Sequence, residues 1–217
     1  YNELGLKKSL RWQAGFLTPT VKYRAVSYEL DDHITPIDQT PGSGALMGSL
    51  DGGLFFERQT NLLGASVTQT LEPRAYYLYS GYDESSGQPS FDSAELTFSY
   101  HQLYRDTRFS GHDRIDDANQ LSLGVTSRFF DNDSGEEVLS ASIGQIFYFR
   151  DREVRLNATD PALAEPTSPI AADAVWSPNQ QWQLRASLLY DTNDNTFDAA
   201  YAQASYRTPQ GALFNVG

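Results

Sequence analysis

The 217-residue sequence contains no cysteine. That excludes thiolate metal sites, cysteine nucleophiles and a disulfide framework within this span, and leaves the compartment open. Methionine is nearly absent, with Met47 alone. Positive charge is scarce: 16 Lys and Arg stand against 28 Asp and Glu, for a net charge of -12. A chain this acidic lacks the basic face that nucleic-acid binding requires. The three histidines, His33, His101 and His112, share no metal-ligand spacing and read as solvated loop residues. No apolar run approaches the ~20 residues of a membrane helix. That absence tests helices only, because a membrane β-strand is apolar at alternate positions and its mean hydropathy stays low. No signal peptide stands at Tyr1, and the opening "YNELGLKKSL" reads as mid-sequence, so a fragment or processed product is expected.

What the chain does have is aromatic side chains, 13 Tyr, 12 Phe and 3 Trp, and a regular alternation. In "QLSLGVTSRF", Leu121, Leu123, Val125 and Phe129 share one face, and Gln120, Ser122, Gly124, Thr126 and Arg128 share the other. Side chains alternate across a strand, so this segment has one oily and one wet face. "ASVTQTLEPRAYYLYS" repeats the pattern, with Val67, Leu71, Ala75, Tyr77 and Tyr79 opposing Ser66, Thr68, Thr70, Glu72, Arg74 and Tyr76. "LSASIGQIFYF" does so with Gln145 as the exception on its oily face, and "WQLRASLLY" does so again. Weaker alternation covers Gly15–Leu30, Ser49–Gln59, Ile170–Trp176, Thr196–Arg207 and Ala212–Val216, which makes nine strand candidates. No comparable window has a helical period. The sequence predicts an all-β chain of long antiparallel strands.

The connections alternate in length. Thr60–Gly64, Asn132–Gly135 and Ser177–Gln180 are tight, as are "DTND" and "TPQG"; Asp31–Gly48, Gly81–Ala118 and Asp151–Ser168 are long. Of the 10 prolines, all but Pro19 and Pro73 fall in connections or at strand ends. A proline inside a ladder marks a bulge or an interrupted pairing, so a break is expected at "LEPR", with Glu72 and Arg74 pointing inward. Alternation alone also fits a soluble β-sandwich. Three features favour a membrane barrel: candidates much longer than the typical ~5–6 residues, aromatics near strand ends, and short turns alternating with long polar loops. A sandwich core would also carry bulkier aliphatics than Ala200, Ala202 and Ala204.

Three blocks, "TQTLEPRAYYLY", "RFSGHDRIDDANQLSLGVTSRF" and "ASIGQIFYFRDR", resemble the β-barrel of the lipopolysaccharide-assembly protein LptD family, also called organic solvent tolerance proteins. The resemblance runs from about Gly52 to Tyr206. It implies a very large barrel of the Gram-negative outer membrane, surrounded by outer-membrane lipid. It further implies an LptE-type lipoprotein plug in the lumen, an N-terminal periplasmic domain that receives lipopolysaccharide from a protein bridge, and lateral release into the outer leaflet between the first and last strands. Against the family pattern, the span 1–217 holds no cysteines for the inter-domain disulfides, and neither the periplasmic domain nor a convincing seam strand is expected within it. Nine strands cannot close such a barrel. Residues 1–217 are therefore expected to be a partial outer-membrane β-barrel domain with no separate second domain, part of a lipopolysaccharide translocon rather than an enzyme, with no cofactor or metal and no nucleic-acid partner.

Gly81–Asp117 is the longest connection and holds eight acidic residues against three arginines. Loops this long are usually functional or disordered. "GYDESSGQPS" reads as a mobile tip, whereas Leu103, Tyr104, Phe109 and Ile115 give the second part apolar surface to bury. Arg105, Arg108, Asp113 and Arg114 are the residues expected to hold that part inward, against the barrel wall or the plug. Glu72, Arg74, Arg128, Arg150 and Arg185 are expected to face the lumen, either as a solvated wall of weak ion pairs or as a surface for plug and cargo. Other chemistry is poorly supported. "DTNDN" lacks the glycine and closing glutamate of a calcium loop. "SSG" and "GSG" sit in no nucleophile elbow, and His112 and Asp113 are too close in sequence to relay to each other as a hydrolase pair. The competing functions are a diffusion porin and a secreted sandwich adhesin or carbohydrate-binding domain.

Overall fold

A computed structural model describes residues 1–29, 42–83, 90–157, 160 and 162–217. His33, the "SSG" serines and most of the "GYDESSGQPS" tip lie outside the described residues. Twelve strands form a single antiparallel sheet. They are β1 (Asn2–Lys7), β2 (Leu10–Trp12), β3 (Gly15–Ser27), β4 (Gly42–Leu54), β5 (Phe56–Leu62), β6 (Ala65–Ser80), β7 (Ala118–Asp131), β8 (Glu137–Tyr148), β9 (Ile170–Trp176), β10 (Trp182–Asp191), β11 (Thr196–Arg207) and β12 (Leu213–Val216). The order is β1-β3-β4-β6-β7-β8-β9-β10-β11-β12, with β2 also on β3 and β5 also on β6. The sheet is not closed: it is part of a barrel. A 3-10 turn, Tyr100–Tyr104, is the one helical element among the described residues.

The strand count of twelve corrects the nine expected. β1 and β2 escaped notice because "NELGLK" and "LRW" are too short to show a period. β4 begins at Gly42, inside the predicted connection Asp31–Gly48. Its first half, "GSGALMGS", is built of small residues that carry little hydrophobic contrast. The candidate Ser49–Gln59 is two strands, interrupted at Phe55, whose N–H leaves β6 and donates to Ala14 O at 2.8 Å.

Pro73 stands where the break was expected. β6 pairs without interruption with β7, including Pro73 with Val125. On its other edge the ladder stops at Gly53–Arg74 and resumes at Phe56–Leu71. The missing N–H is accommodated where one edge of the strand has no partner.

The two faces of the sheet are opposite in character. One is overlaid by the connections between β6 and β7 and between β8 and β9; it is the inner face. Gln120, Ser122 and Thr126 are buried there, as expected of the wet face of β7, together with Ser80 and Met47. The outer face exposes Leu4, Leu6, Val21, Leu46, Leu50, Leu71, Leu123, Ile143, Phe147 and Leu188. A molecule that buries Ser, Thr, Gln and Asp and exposes aliphatics is inverted relative to a water-soluble one. The odd residue Gln145 is satisfied: its Nε2 donates to Ser168 O at 2.8 Å and Thr192 Oγ1 at 3.1 Å. At the short-turn end, Trp182 and Tyr206 sit in register with ring centroids 4.8 Å apart.

Candidate functional site

The second part of the long connection lies on the inner face as a packed layer. Leu103, Phe109 and Ile115 are buried, Leu103 completely, and Tyr104 is half-buried, as their apolar character foretold. Full burial of a leucine stabilises by about 1.5–3 kcal/mol. Leu103 and Tyr100 pack with Ile146 and Ala171, and Ile115 packs with Val26 and Ala45.

The floor beneath the 3-10 turn is made by two glycines in direct register, Gly124 of β7 and Gly144 of β8. A Cβ on Gly124 would stand 2.3 Å from Tyr104 Oη and 3.1 Å from Tyr100 Oη. One on Gly144 would stand 2.6 Å from Leu103 Cδ1 and 2.7 Å from Leu123 O. A side chain at Gly144 would meet backbone as well as Leu103, and one at Gly124 would displace the tyrosine side chains of the turn. Tyr100 Oη also meets Thr126 Oγ1 at 3.1 Å.

Charged groups fasten the layer. Arg108 donates from Nη2 and Nε to Asp116 at 2.8 and 3.1 Å, and its backbone N–H donates to the same carboxylate at 2.6 Å. Its Nη2 also reaches Val154 O at 3.0 Å. Asp117, whose carboxylate is fully buried, accepts N–H bonds from Glu153 and Val154 at 3.1 and 2.9 Å and pairs with Arg150 at 3.3 Å. The second connection is thereby tied to the first. Asp113 accepts from Tyr28 Oη at 2.5 Å and from the backbone N–H groups of Phe91 and Asp92, each at 2.6 Å. Burial pushes the Asp113 carboxyl up, but these donors outweigh burial and hold it at about 2. Arg114 donates to the carbonyls of Arg155 and Leu156 at 3.0 and 3.1 Å. Asp106 takes Lys22 Nζ and Arg24 Nη2, both at 2.9 Å. Burial would raise Asp106, and these two cations leave it below the usual carboxylate range.

Of the four residues expected to hold the segment inward, Arg108, Asp113 and Arg114 engage other parts of the structure. Arg105 does not: its side chain is exposed, makes no ion pair among the described residues, and lines a cavity of about 340 Å³ between the two connections. Sequence reasoning missed Asp106, Asp116 and Asp117, and it missed Lys22 and Arg24, whose alternation with Val21 and Tyr23 marks them as inner-face residues. Of the five expected wall charges, Glu72, Arg74, Arg128 and Arg185 lie on the inner face, and Arg150 stands just beyond the end of β8. Arg74 donates to both oxygens of Asp51 at 2.8 Å. Arg128 pairs with Glu72 and, at 3.4 Å, with Glu137. Arg150 reaches Ser80 O at 2.8 Å. Arg185 is exposed and, among the described residues, its side chain bonds Gln183 Oε1 at 3.0 Å. In "DTNDN", Asp191 Oδ1 accepts from Asn193 N at 2.6 Å, which makes the segment a polar turn.

Long antiparallel strands, an apolar outer face and a polar inner face filled by its own connections define the wall of a membrane-type β-barrel. The comparisons with known proteins fit that class. The family model "LptD: LPS transport system D" matches residues 1–217, so the likeness extends beyond the Gly52–Tyr206 blocks to both ends. The chain belongs to the LptD family. It is 42% identical over 219 residues to the LPS-assembly protein LptD of Xanthomonas campestris pv. campestris (strain 8004), covering 95% of this chain and 27% of that protein. The LPS-assembly protein LptD of Hahella chejuensis is 38% identical over 207 residues, covering 95% and 26%. That of Nitrosococcus oceani is 41% identical over 204 residues, covering 93% and 27%. The chain thus spans about a quarter of the length of the curated relatives it matches.

Proposed function

We propose that this chain is a wall segment of an outer-membrane translocon that assembles lipopolysaccharide and inserts it into the outer leaflet. In this reading all 217 residues belong to one partial barrel domain of the Gram-negative outer membrane. The parent protein takes lipopolysaccharide from a periplasmic bridge through a domain outside this span. An LptE-type lipoprotein occupies the lumen and meets the inner face. The chain performs no catalysis; its work is transport. The observation that supports the reading is the layer Tyr100–Asp117 packed on the inner face of the sheet; Arg105, Arg114 and the charges Glu72, Arg74, Arg128, Arg150 and Arg185 are the residues we assign to the surroundings of the plug.

The test is deletion of Leu103–Ile115 in the full-length protein. The reading expects less lipoprotein to co-purify and greater sensitivity to large hydrophobic antibiotics. Unchanged co-purification and unchanged resistance would remove the layer's role in seating the plug. An inward loop is also what a diffusion porin uses as a constriction. Steady single-channel conductance from the intact protein, with no lipoprotein required, would favour that second reading.

A further inference from the structure

The β5–β6 hairpin runs past its neighbour on one side. β5 continues the line of β4, and Gly15 and Leu54 form the last rung that β4 shares with β3. There the chain reverses through Gln13 and Ala14 between β2 and β3. Phe55 N–H donates to Ala14 O at 2.8 Å, away from β6. Bonding direction alternates along an antiparallel strand, so Glu57, Gln59 and Asn61 aim their N–H and C=O groups to that same side. Among the described residues none of these backbone groups has a partner. In hydrocarbon every backbone polar group must be satisfied within the protein, and an open sheet edge does not occur there.

The side chains of the hairpin are wet on both faces. On the inner side Glu57, Gln59 and Asn61 stand opposite Thr70, Thr68 and Ser66. The outer side, apolar higher on the wall, turns polar here as well. Arg58 Nε donates to Gln69 Oε1 at 2.7 Å, and Gln69 Nε2 donates to Ser127 Oγ at 2.8 Å. Burial of apolar groups reverses at the same level. Leu71 is 46% exposed, whereas Val67, nearer the turn, is 1% exposed. Water covers apolar side chains with protein; lipid does not require it. β6 is also longer than a crossing demands. It has 16 residues, against the ~9–11 of a tilted membrane strand, and Leu71–Ser80 suffices for the span. Exposed Phe56, in register with Leu71, and exposed Trp12 put aromatic rings at the short-turn limit of that stretch, as at membrane interfaces.

We propose that the lipid-covered surface of this part of the wall ends at the Phe56–Leu71 rung, and that the rest of the β5–β6 hairpin stands in water with its edge solvated. The proposal rests on the reading of the outer face as lipid-facing. Glu57 and Arg58 place charge along the solvated edge, a device that keeps such edges from pairing with another chain.

The test uses the full-length protein, with its co-purifying lipoprotein, in nanodiscs. Hydrogen–deuterium exchange is read residue by residue by mass spectrometry with electron-transfer fragmentation. Amides of Glu57, Gln59 and Asn61 should exchange many-fold faster than those of Arg58 and Thr60, which bond β6, and than those of Leu121–Val125. Arginine tolerance gives a second measurement. Thr60→Arg, on the outer side of the hairpin, should leave folding yield into lipid vesicles unchanged, and Leu123→Arg should lower it several-fold. Slow exchange at Glu57, Gln59 and Asn61 in the unaltered protein overturns the solvated edge. A fall in yield for Thr60→Arg as large as that for Leu123→Arg overturns the boundary and leaves the membrane reading intact. Unchanged yield for both variants overturns the membrane reading itself.

Discussion

Gly124 and Gly144 face each other across the β7–β8 ladder, and the Tyr100–Tyr104 turn rests on the bare patch they make. Because the nearest obstacle to a Cβ at Gly124 is the Tyr104 hydroxyl, the clash is specific and can be relieved. Gly124→Ala should cost about 1–3 kcal/mol, the usual range for overpacking, and should expose the turn to protease. Tyr104→Phe in the same chain should restore much of the protection. Gly144→Ala has no such remedy, since its Cβ would also meet the Leu123 carbonyl. Limited proteolysis of the folded protein distinguishes the three variants.

Arginines in the same connection should differ sharply in worth. Arg108 serves Asp116 and lies near Asp117, both buried. Arg108→Ala leaves a buried carboxylate without its main partner and should cost about 3–5 kcal/mol. Arg105→Ala removes an exposed side chain with no ion pair among the described residues and should stay within about 0.5 kcal/mol. The temperature at which heat-modifiable mobility is lost reports both.

Acid should loosen the layer at Asp113. Its carboxyl sits at about 2 in the folded protein, below the ordinary value of about 3.9. A depressed carboxylate stabilises fully above the unfolded value, and that contribution is lost as pH falls from about 4 towards about 2. Protease susceptibility near Phe91 should therefore rise across that window. Asp113→Asn should already be susceptible at neutral pH and should show a flatter profile. An identical acid response in the two proteins would refute the assignment.

Neighbouring residues on β10 should tolerate arginine unequally. Leu188 lies on the outer face, whereas Ser187 lies on the inner face in register with Asp173. Leu188→Arg should cost about 2–4 kcal/mol if it sits near the bilayer midplane. Ser187→Arg gains an acidic neighbour and should cost much less. Folding yield into lipid vesicles gives the comparison. Ser122 would be a poor inner-face control, because it is buried beneath the connection.

Alternation made the long strands legible, and it did so because one side of each meets hydrocarbon and the other a polar interior. It failed at "GSGALMGS", where small residues on both faces erase the contrast, and at β1 and β2, where too few residues repeat. Pro73 announced its own break, since a residue without an N–H cannot serve an intact ladder on both edges. The fastening residues were harder to read. Asp116 and Asp117 look like ordinary solvated loop acids until Arg108 and the backbone of Glu153 and Val154 are brought to them. Gly124 and Gly144 each sit in an alternating strand with no local reason to be glycine; the reason is register, which pairs them under a segment 20 or more residues upstream. Arg105 shows the converse, a charge grouped with Arg108 and Arg114 by proximity in sequence that the fold leaves aside.

Asp106 reaches back 84 residues to Lys22, while Asp117 reaches forward 37 to Val154. This double reach imposes a chronology on biogenesis. The Asp106 bonds require β3 to be in place, and the Asp117 bonds require the stretch beyond β8, so the layer is completed only after most of this wall has been made. The connection is therefore the last part of this wall to settle, because neither β3 alone nor the stretch beyond β8 alone can hold it.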